Sequence, residues 1–208
     1  MIDARVRVER VLAAGARIAD PADPLGREAR ARLRETSGLT PQGVALALDE
    51  HLERGASPAE LDAFVARATP ARRAVVVLSA NVCTAALRAI AFGCATAADV
   101  LTRPSRRDPV VAELVARARA DDAAFAAAGG RVALTRDEIV EPRAGDEVHV
   151  YGGDDAIAAY RRRLPAGASL RAHGPGFGAA LVGAEADPVD AACALARDVV
   201  PFDQRGCL

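Results

Sequence analysis

The chain has 208 residues, a length that suits one large domain or one domain with a helical extension. It is 51% hydrophobic and 26% charged, which excludes a disordered, collagen-like or disulfide-scaffold protein. Its formal net charge of -1 gives no overall field toward nucleic acid or anionic lipid, so we predict no nucleic-acid partner and no membrane partner.

The sequence predicts neither a targeting segment nor a metal site. No run of about 18 apolar residues is present, and Met1, Ile2 and Asp3 do not begin an apolar signal core, so we expect a cytoplasmic protein. The 4 cysteines show no CxxC spacing and there are only 3 histidines, so we expect no metal. All 27 basic residues are arginines, which leaves no ammonium group for catalysis.

Residues 1–70 are predicted to form a helical N-terminal segment. A clear helix begins at Thr40-Pro41 and ends at Gly55, and Ser57-Pro58-Ala59-Glu60 has the spacing of a capping box that begins another helix. An earlier helix is indicated by an apolar stripe, which consists of Val8, Val11, Leu12 and Ile18.

From residue 73 the pattern changes to strands that alternate with helices. Strands are predicted at 74–78, 99–103, 131–135, 147–151 and 169–173, with a further one at 179–182. Helices are predicted at 82–94, 109–128, 154–163 and 188–200. This alternation predicts an α/β fold with a doubly wound parallel sheet, in which residues 71–200 form a nucleotide-binding domain behind the helical lead.

Ligands of such sheets bind beyond the carboxyl ends of the strands, so the residues after each strand are the first site candidates. The first strand is followed by Ser79-Ala80-Asn81 instead of a GxGxxG fingerprint, which disfavours an ordinary Rossmann dehydrogenase. Asn81 is either the N-cap of the next helix or an amide that donates to a developing oxyanion.

Three further strand ends carry candidate residues. Arg103, Arg106 and Arg107 lie at the end of the second strand, where they either hold an adenosine ribose or its 2′-phosphate, or form an exposed basic turn. Gly152-Gly153 precedes a helix and would let backbone donors approach a pyrophosphate, although a glycine pair alone is a weak signal. The glycine-rich run 173–178 begins with His173 and is either a ligand loop or a tight connection.

The segment 201–208 contains the candidate nucleophile. Gly206 precedes Cys207, and a glycine there lets the backbone bring the thiol close to a substrate. We expect the other cysteines, which lie in alanine-rich helical patterns, to be small core residues; these are Cys83, Cys94 and Cys193.

Taken together, these segments resemble the acyl-CoA reductase family of the aldehyde dehydrogenase superfamily, which includes the bioluminescence-type fatty-acid reductases. The resemblance runs from about residue 74 to 208, and the N-terminal segment matches only in being helical. Three ordered motifs carry it, namely Tyr151-Gly152-Gly153-Asp154, the run His-Gly-Pro-Gly-Phe-Gly at 173–178, and Phe-Asp-Gln-Arg-Gly-Cys at 202–207.

The resemblance implies a role for each candidate. Cys207 looks like the acyl-accepting nucleophile, and Asn81 matches the superfamily's oxyanion amide only through its place after the first strand. Arg103-Pro104-Ser105 looks like the Lys-Pro-Ser turn that meets the adenosine ribose, with Arg in place of Lys. Arg106 stands where a Glu often holds the ribose hydroxyls of NAD, which implies NADPH. The implied cofactor-binding set is completed by Gly152 and Gly153.

The implied function is reduction of an acyl-CoA, or another acyl thioester, to an aldehyde through an acyl-enzyme on Cys207. The family continues after its catalytic Cys, so residues 201–208 would begin a catalytic region that a C-terminal half or partner chain completes, and we expect turnover only with that part supplied. The sequence also leaves open that the chain forms a homo-oligomer. The alternatives are a truncated, catalytically inert nucleotide-binding or interaction domain, and an unrelated α/β binding protein.

Overall fold

The computed structural model describes residues 2–79, 82–175 and 179–199. Five strands form one sheet; they are β1 (Arg73–Val77), β2 (Asp99–Arg103), β3 (Arg131–Leu134), β4 (Asp146–Tyr151) and β5 (Ser169–His173). The helices of the described part are α1 (Ile2–Ala19), α2 (Pro24–Thr36), α3 (Pro41–Leu46), α4 (Pro58–Ala66), α5 (Ala85–Thr96), α6 (Val110–Ala120), α7 (Ala123–Ala127), α8 (Asp154–Arg163) and α9 (Pro188–Val199). None of the described helices has the length and apolar character needed to cross a membrane.

The sheet is parallel throughout, with the strand order β3-β2-β1-β4-β5. Helices cover both faces, because Val76 and Val100 pack into a core with α5 and α6, whereas Val75 and Val148 pack into a core with α8. This arrangement confirms the predicted α/β fold class with a parallel sheet and a helical N-terminal lead.

Helix α1 packs against α5 and α6, so the N-terminal helices and the sheet domain share one core. The buried guanidinium of Arg7 ties these elements together, since its Nε donates to the Cys94 carbonyl at 2.9 Å and its Nη1 to the Ala128 carbonyl at 3.0 Å. The division into residues 1–70, 71–200 and 201–208 stays a prediction.

Local hydrogen bonds at the helix ends explain where the N-terminal helices begin. The predicted capping box at α4 is present, because the Glu60 carboxylate accepts from the Ser57 N–H at 2.8 Å and the Ser57 hydroxyl accepts from the Glu60 N–H at 3.3 Å. The helix that begins at Pro41 does not extend to Gly55. It passes into a π-helical turn, Ala47–His51, after which an extended Leu52 enters the core.

Three predicted elements differ from the structure. The single helix at 109–128 is two helices, because the Asp122 carboxylate caps α7 by accepting from the Phe125 N–H at 3.0 Å. Residues 179–182 form no strand, and Leu181 is 100% exposed there. Helix α5 begins at Ala85 rather than at 82, because a turn precedes it.

Candidate functional site

The carboxyl ends of β1 and β4 form the switch point of the sheet, since the chain moves from β1 to β2 on one side and later adds β4 on the other. The Leu78 N–H donates to the Arg103 carbonyl at 3.0 Å, which holds the turns after β1 and β2 side by side. Asn81 follows β1 but lies outside the described residues. Because the strands are parallel, the candidate residues that follow β2, β4 and β5 lie at the same edge of the sheet.

The turn after β2 is fixed by Ser105. Its buried hydroxyl accepts from the Arg107 N–H at 3.2 Å and from the Asp108 N–H at 3.4 Å. Both lone pairs are occupied, so the hydroxyl is free only to donate. Arg103 is half-buried and makes no ion pair within the described part of the chain.

Arg106 has a partner that sequence reasoning missed. Its Nη2 lies 3.3 Å from Oε1 of Glu138, and the two side chains are 73% and 77% exposed. Such an exposed pair is weak, about 0–1 kcal/mol, so the guanidinium is available to a ligand. Glu138 lies four residues after β3 ends at Leu134, and inspection of every strand end would have found it.

Helix α8 begins at the switch point with a glycine, which has no side chain to cap the helix. Gly153 is its N-cap and supplies no side-chain cap, and a Cβ added there would meet nothing within 4 Å. The Ala156 N–H donates to the Gly153 carbonyl at 3.0 Å, so the N–H groups of Asp154 and Asp155 are the first-turn donors without an acceptor in the helix. The carboxylates of Asp154 and Asp155 occupy the same first turn and oppose the approach of an anion.

Polar residues alternate along β4 and β5 on the face that is directed toward α5. Tyr151 and His173 are cross-strand partners, and their rings stack with centroids 4.0 Å apart and planes inclined by 2°. His149 stacks on His173 at 5.8 Å and meets Phe92 edge to face at 5.4 Å.

The stack ends at a buried carboxylate. Oε1 of Glu147 accepts from Nε of Arg171 at 3.1 Å and lies 3.2 Å from Nε2 of His149. Burial acts to raise the pKa of Glu147, but His149 and Arg171 outweigh it and hold the pKa below the usual value. His149 is fully buried; its Nε2 lies close to the Glu147 carboxylate without the alignment of a hydrogen bond, and its Nδ1 has no hydrogen-bond partner among the described residues.

The rings of Tyr151 and His173, at the carboxyl ends of β4 and β5, are both uncharged at neutral pH. Burial, together with the nearby His149 and Arg171, lowers the pKa of His173 to about 4. Burial raises the pKa of Tyr151 to about 12. Nε2 of His173 is buried and has no partner within the described part of the chain.

A cavity of about 580 Å³ lies between α4, α5 and this face of the sheet. Its inner wall carries Tyr151, Arg171 and His173, and its helical walls are mostly apolar, with Phe64 and Phe92 in edge-to-face contact at 5.2 Å. Sequence reasoning missed this cavity. The available signal was the alternation of polar side chains along β4, a strand expected to be buried on both faces.

The cysteines differ sharply in their surroundings. Burial raises the pKa values of Cys83 and Cys94 to about 12, which makes both poor nucleophiles. The prediction that Cys193 is a core residue is wrong, because α9 leaves it exposed. Cys207 lies outside the described residues. No group of three or more His, Cys, Asp or Glu residues that would suit a metal occurs among the residues that the structure describes.

Comparison with protein families identifies the chain. Residues 39–208 match the family described as LuxC, acyl-CoA reductase. The chain belongs to the LuxC acyl-CoA reductase family. The match begins just before α3 and includes every candidate site residue, whereas α1 and α2 precede it. No curated protein and no solved structure matches the chain.

Membership in the LuxC family confirms the resemblance found in the sequence and gives the coarse chemistry of the site. Acyl-CoA reductases of this family act on an acyl substrate and in general depend on a pyridine nucleotide. Arg103 at the end of β2, Arg106 in the turn after it and the open space at Gly153 suit such a nucleotide, whereas the carboxylates of Asp154 and Asp155 oppose its pyrophosphate.

Proposed function

We propose that the chain takes part in NADPH-dependent reduction of an acyl-CoA to an aldehyde, through an acyl-enzyme on Cys207. The observation that carries this proposal is the LuxC family match over the same residues whose strand ends converge at the switch point of the sheet. A cytoplasmic location stays a prediction of the sequence.

The nucleotide would lie across the carboxyl ends of β1, β2 and β4. Arg103 and Arg106 would hold the adenosine ribose and its 2′-phosphate by charge-assisted hydrogen bonds, and the Ser105 hydroxyl would donate to the ribose. At Gly152-Gly153 the Gly153 N–H would face the pyrophosphate, since the Gly152 N–H already donates to the His173 carbonyl at 3.2 Å. A reduced nicotinamide, when bound, supplies the hydride for the reaction.

The acyl group would be carried by Cys207. Its thiolate attacks the thioester carbonyl carbon, a new carbon–sulfur bond forms, and the carbon–sulfur bond to coenzyme A breaks as that thiolate leaves and takes up a proton. The Asn81 amide would donate to the oxyanion. Reduction of the acyl carbon and protonation of its oxygen give a thiohemiacetal on Cys207, whose collapse releases the aldehyde and restores the thiol.

A second candidate is a nucleotide-binding or interaction domain without catalysis. One observation favours it, because α9 is exposed along most of its length and the preceding segment exposes Leu181 and Val182. An interaction domain would use these apolar residues to bind a partner chain, whereas the reductase would need them only as a connection to Cys207.

Transfer of an acyl group to Cys207 in the absence of nucleotide distinguishes the reductase from a domain without catalysis. The chain is incubated with decanoyl-CoA, and the acylated peptide is identified by mass spectrometry. We expect one acyl group on Cys207, none in Cys207→Ala, and unchanged acylation in Cys193→Ser, which removes the exposed thiol of α9. Calorimetry with NADPH is run in parallel. Nucleotide binding without acylation would support the inert domain and contradict acyl transfer by this chain on its own.

A further inference from the structure

We propose that the cavity between α4, α5 and the β4–β5 face binds the acyl tail of the thioester, with Tyr151 and His173 donating hydrogen bonds to the carbonyl oxygen. This inference rests on the proposed function and assigns the substrate's tail to a particular part of the fold. The cavity lies at the carboxyl ends of β4 and β5, beside the proposed nucleotide site.

The size and walls of the cavity suit an acyl chain. Its volume of about 580 Å³ falls within the range of about 300–1,000 Å³ that is typical of small-molecule sites. The walls contributed by α1, α4 and α5 are largely apolar, and this part of the lining includes Val8, Leu12, Leu61, Phe64 and Phe92. An apolar tail would replace water against these side chains, which is the main favourable term in such binding.

The charged residues of the lining are mostly neutralised within the protein. Arg88 donates to the Glu53 carboxylate at 2.7 Å, and Arg171 pairs with the buried Glu147. Arg67 and Glu60 differ, because both are exposed and neither makes an ion pair with any residue that the structure describes, although the Glu60 carboxylate accepts from the Ser57 N–H at 2.8 Å. The apolar interior fits a neutral acyl tail, and Arg67 offers a cation to the anionic carrier to which that tail is joined in an acyl-CoA.

The polar wall is suited to an uncharged oxygen. Tyr151 and His173 line the cavity with stacked rings, and Nε2 of His173 is enclosed by protein without a hydrogen-bond partner in the described structure, so a ligand oxygen that reached it would complete its hydrogen bonding. A neutral imidazole carries one N–H, whose tautomer is set by the surrounding hydrogen bonds. His149 packs behind His173 and acts as a positioning residue, because it fixes the plane of the ring that meets the ligand.

The first test fills the cavity with a tryptophan at position 63 and uses a tryptophan at position 66 as its control. Ala63 lies on α4, is exposed and lines the cavity, whereas Ala66 is exposed on the same helix and lies outside the lining. Calorimetry measures binding of free CoA and of butanoyl-, hexanoyl-, octanoyl- and decanoyl-CoA. We expect affinity to rise about fourfold per methylene until the cavity is filled, because each buried methylene adds about 0.8 kcal/mol.

The two tryptophan variants test whether the cavity binds the acyl tail or another part of the substrate. Ala63→Trp should lose this chain-length dependence and bind decanoyl-CoA at least about tenfold more weakly, while its affinity for free CoA and NADPH is unchanged. Ala66→Trp should resemble wild type. Chain-length dependence that survives in Ala63→Trp, or that disappears equally in both variants, would overturn the assignment.

The second test addresses the polar wall. Tyr151→Phe keeps the ring stack and removes the hydroxyl, so acyl-CoA affinity should fall about 2- to 12-fold, the worth of one hydrogen bond, with NADPH affinity unchanged. His173→Leu should show a similar fall, and His173→Gln, which retains an N–H donor, should recover part of it. Equal effects of the Leu and Gln variants would mean that His173 only fills space.

The outcomes distinguish this inference from the proposed function. If Cys207 is acylated and acyl-CoA binds, but neither the cavity nor the wall variants change binding, the tail lies elsewhere and only the inference is wrong. A chain that binds no acyl-CoA and acquires no acyl group overturns both. Circular dichroism of each variant confirms that the substituted proteins are folded.

Discussion

The guanidinium of Arg106 faces the carboxylate of Glu138 across the carboxyl edge of the sheet, with Nη2 and Oε1 3.3 Å apart. The two residues come from different strand ends, the turn after β2 and the connection from β3 to β4. A nucleotide 2′-phosphate and Glu138 would therefore compete for the same cation. A ribose hydroxyl, by contrast, could donate to Glu138, so this pair should tune the choice between NADP and NAD.

Substitution of Arg106 should remove the preference for the phosphorylated nucleotide. In Arg106→Gln we expect NADPH to bind about 1–2 kcal/mol more weakly, because the charge-assisted bond is lost at an exposed site, while NADH affinity is little changed. Calorimetry with both nucleotides measures this. The control is Arg162→Gln, which removes an exposed arginine near the end of α8. An equal loss in both variants would point to a general charge effect.

Substitution of Glu138 should act in the opposite direction. Glu138→Gln frees Arg106 and removes a negative charge, so NADPH should bind more tightly by up to about 1 kcal/mol. NADH should bind the same or more weakly, since its ribose hydroxyl loses a carboxylate acceptor. The ratio of the two dissociation constants is the readout. A ratio that stays at the wild-type value would exclude Glu138 from nucleotide selection.

The cysteines should react with iodoacetamide in two classes. Cys83 and Cys94 are buried with pKa values raised to about 12, so both should stay unlabelled in the folded chain and react after denaturation. Cys193 is exposed and should be labelled in the folded chain. Peptide mass spectrometry after brief labelling reads each site. Rapid labelling of Cys94 in the folded chain would contradict the packing of α5.

The stability of the protein should depend on pH through His173. Its pKa is lowered to about 4 in the folded chain, so between about pH 4 and 6.5 the unfolded state binds more protons and stability falls as pH decreases. Urea unfolding at pH 7 and pH 4.5 measures this. In His173→Gln the fall should be smaller than in wild type.

The contact between α5 and the sheet should not tolerate a methyl group at Gly93. A Cβ there would lie 2.9 Å from Cγ2 of Val76 and 3.1 Å from Cγ1 of Val100. Overpacking costs about 1–3 kcal/mol and alanine gains about 1 kcal/mol in helix propensity, so Gly93→Ala should lower the free energy of unfolding by up to about 2 kcal/mol. Gly55→Ala is the matched control, since its Cβ meets nothing within 4 Å. Urea denaturation compares them.

Much of the fold could be read from local patterns. The β-branched run that became β1, the capping box of Ser57 and Glu60, and the bounds of α8 all depend on residues that are near neighbours in sequence. The predicted helix bounds were wrong where a capping side chain or the burial of one residue ended a helix earlier than the pattern indicated. Asp122 capped a new helix inside a continuous alanine-rich stretch, and Leu52 left its helix to enter the core.

Candidate residues at strand ends were predictable for the same reason. Each of these residues ends a strand or lies within three residues after it, and parallel strands place their carboxyl ends at one edge; the residues are Arg103, Ser105, Arg106, Gly152 and Gly153. The partner of Arg106 was not predictable, because Glu138 reaches it only through the path of the connection between β3 and β4.

The sequence by itself determined the elements, their alternation and therefore the α/β class, since these follow from hydrophobic period and backbone preference over a few residues. Only the tertiary structure decided which side chains share a cavity. Tyr151 and His173 lie on separate strands and stack at 4.0 Å because β4 and β5 are adjacent in this register, and Phe64 meets Phe92 because α4 packs on α5. Such contacts depend on strand order and helix packing, which link residues that are distant in the chain.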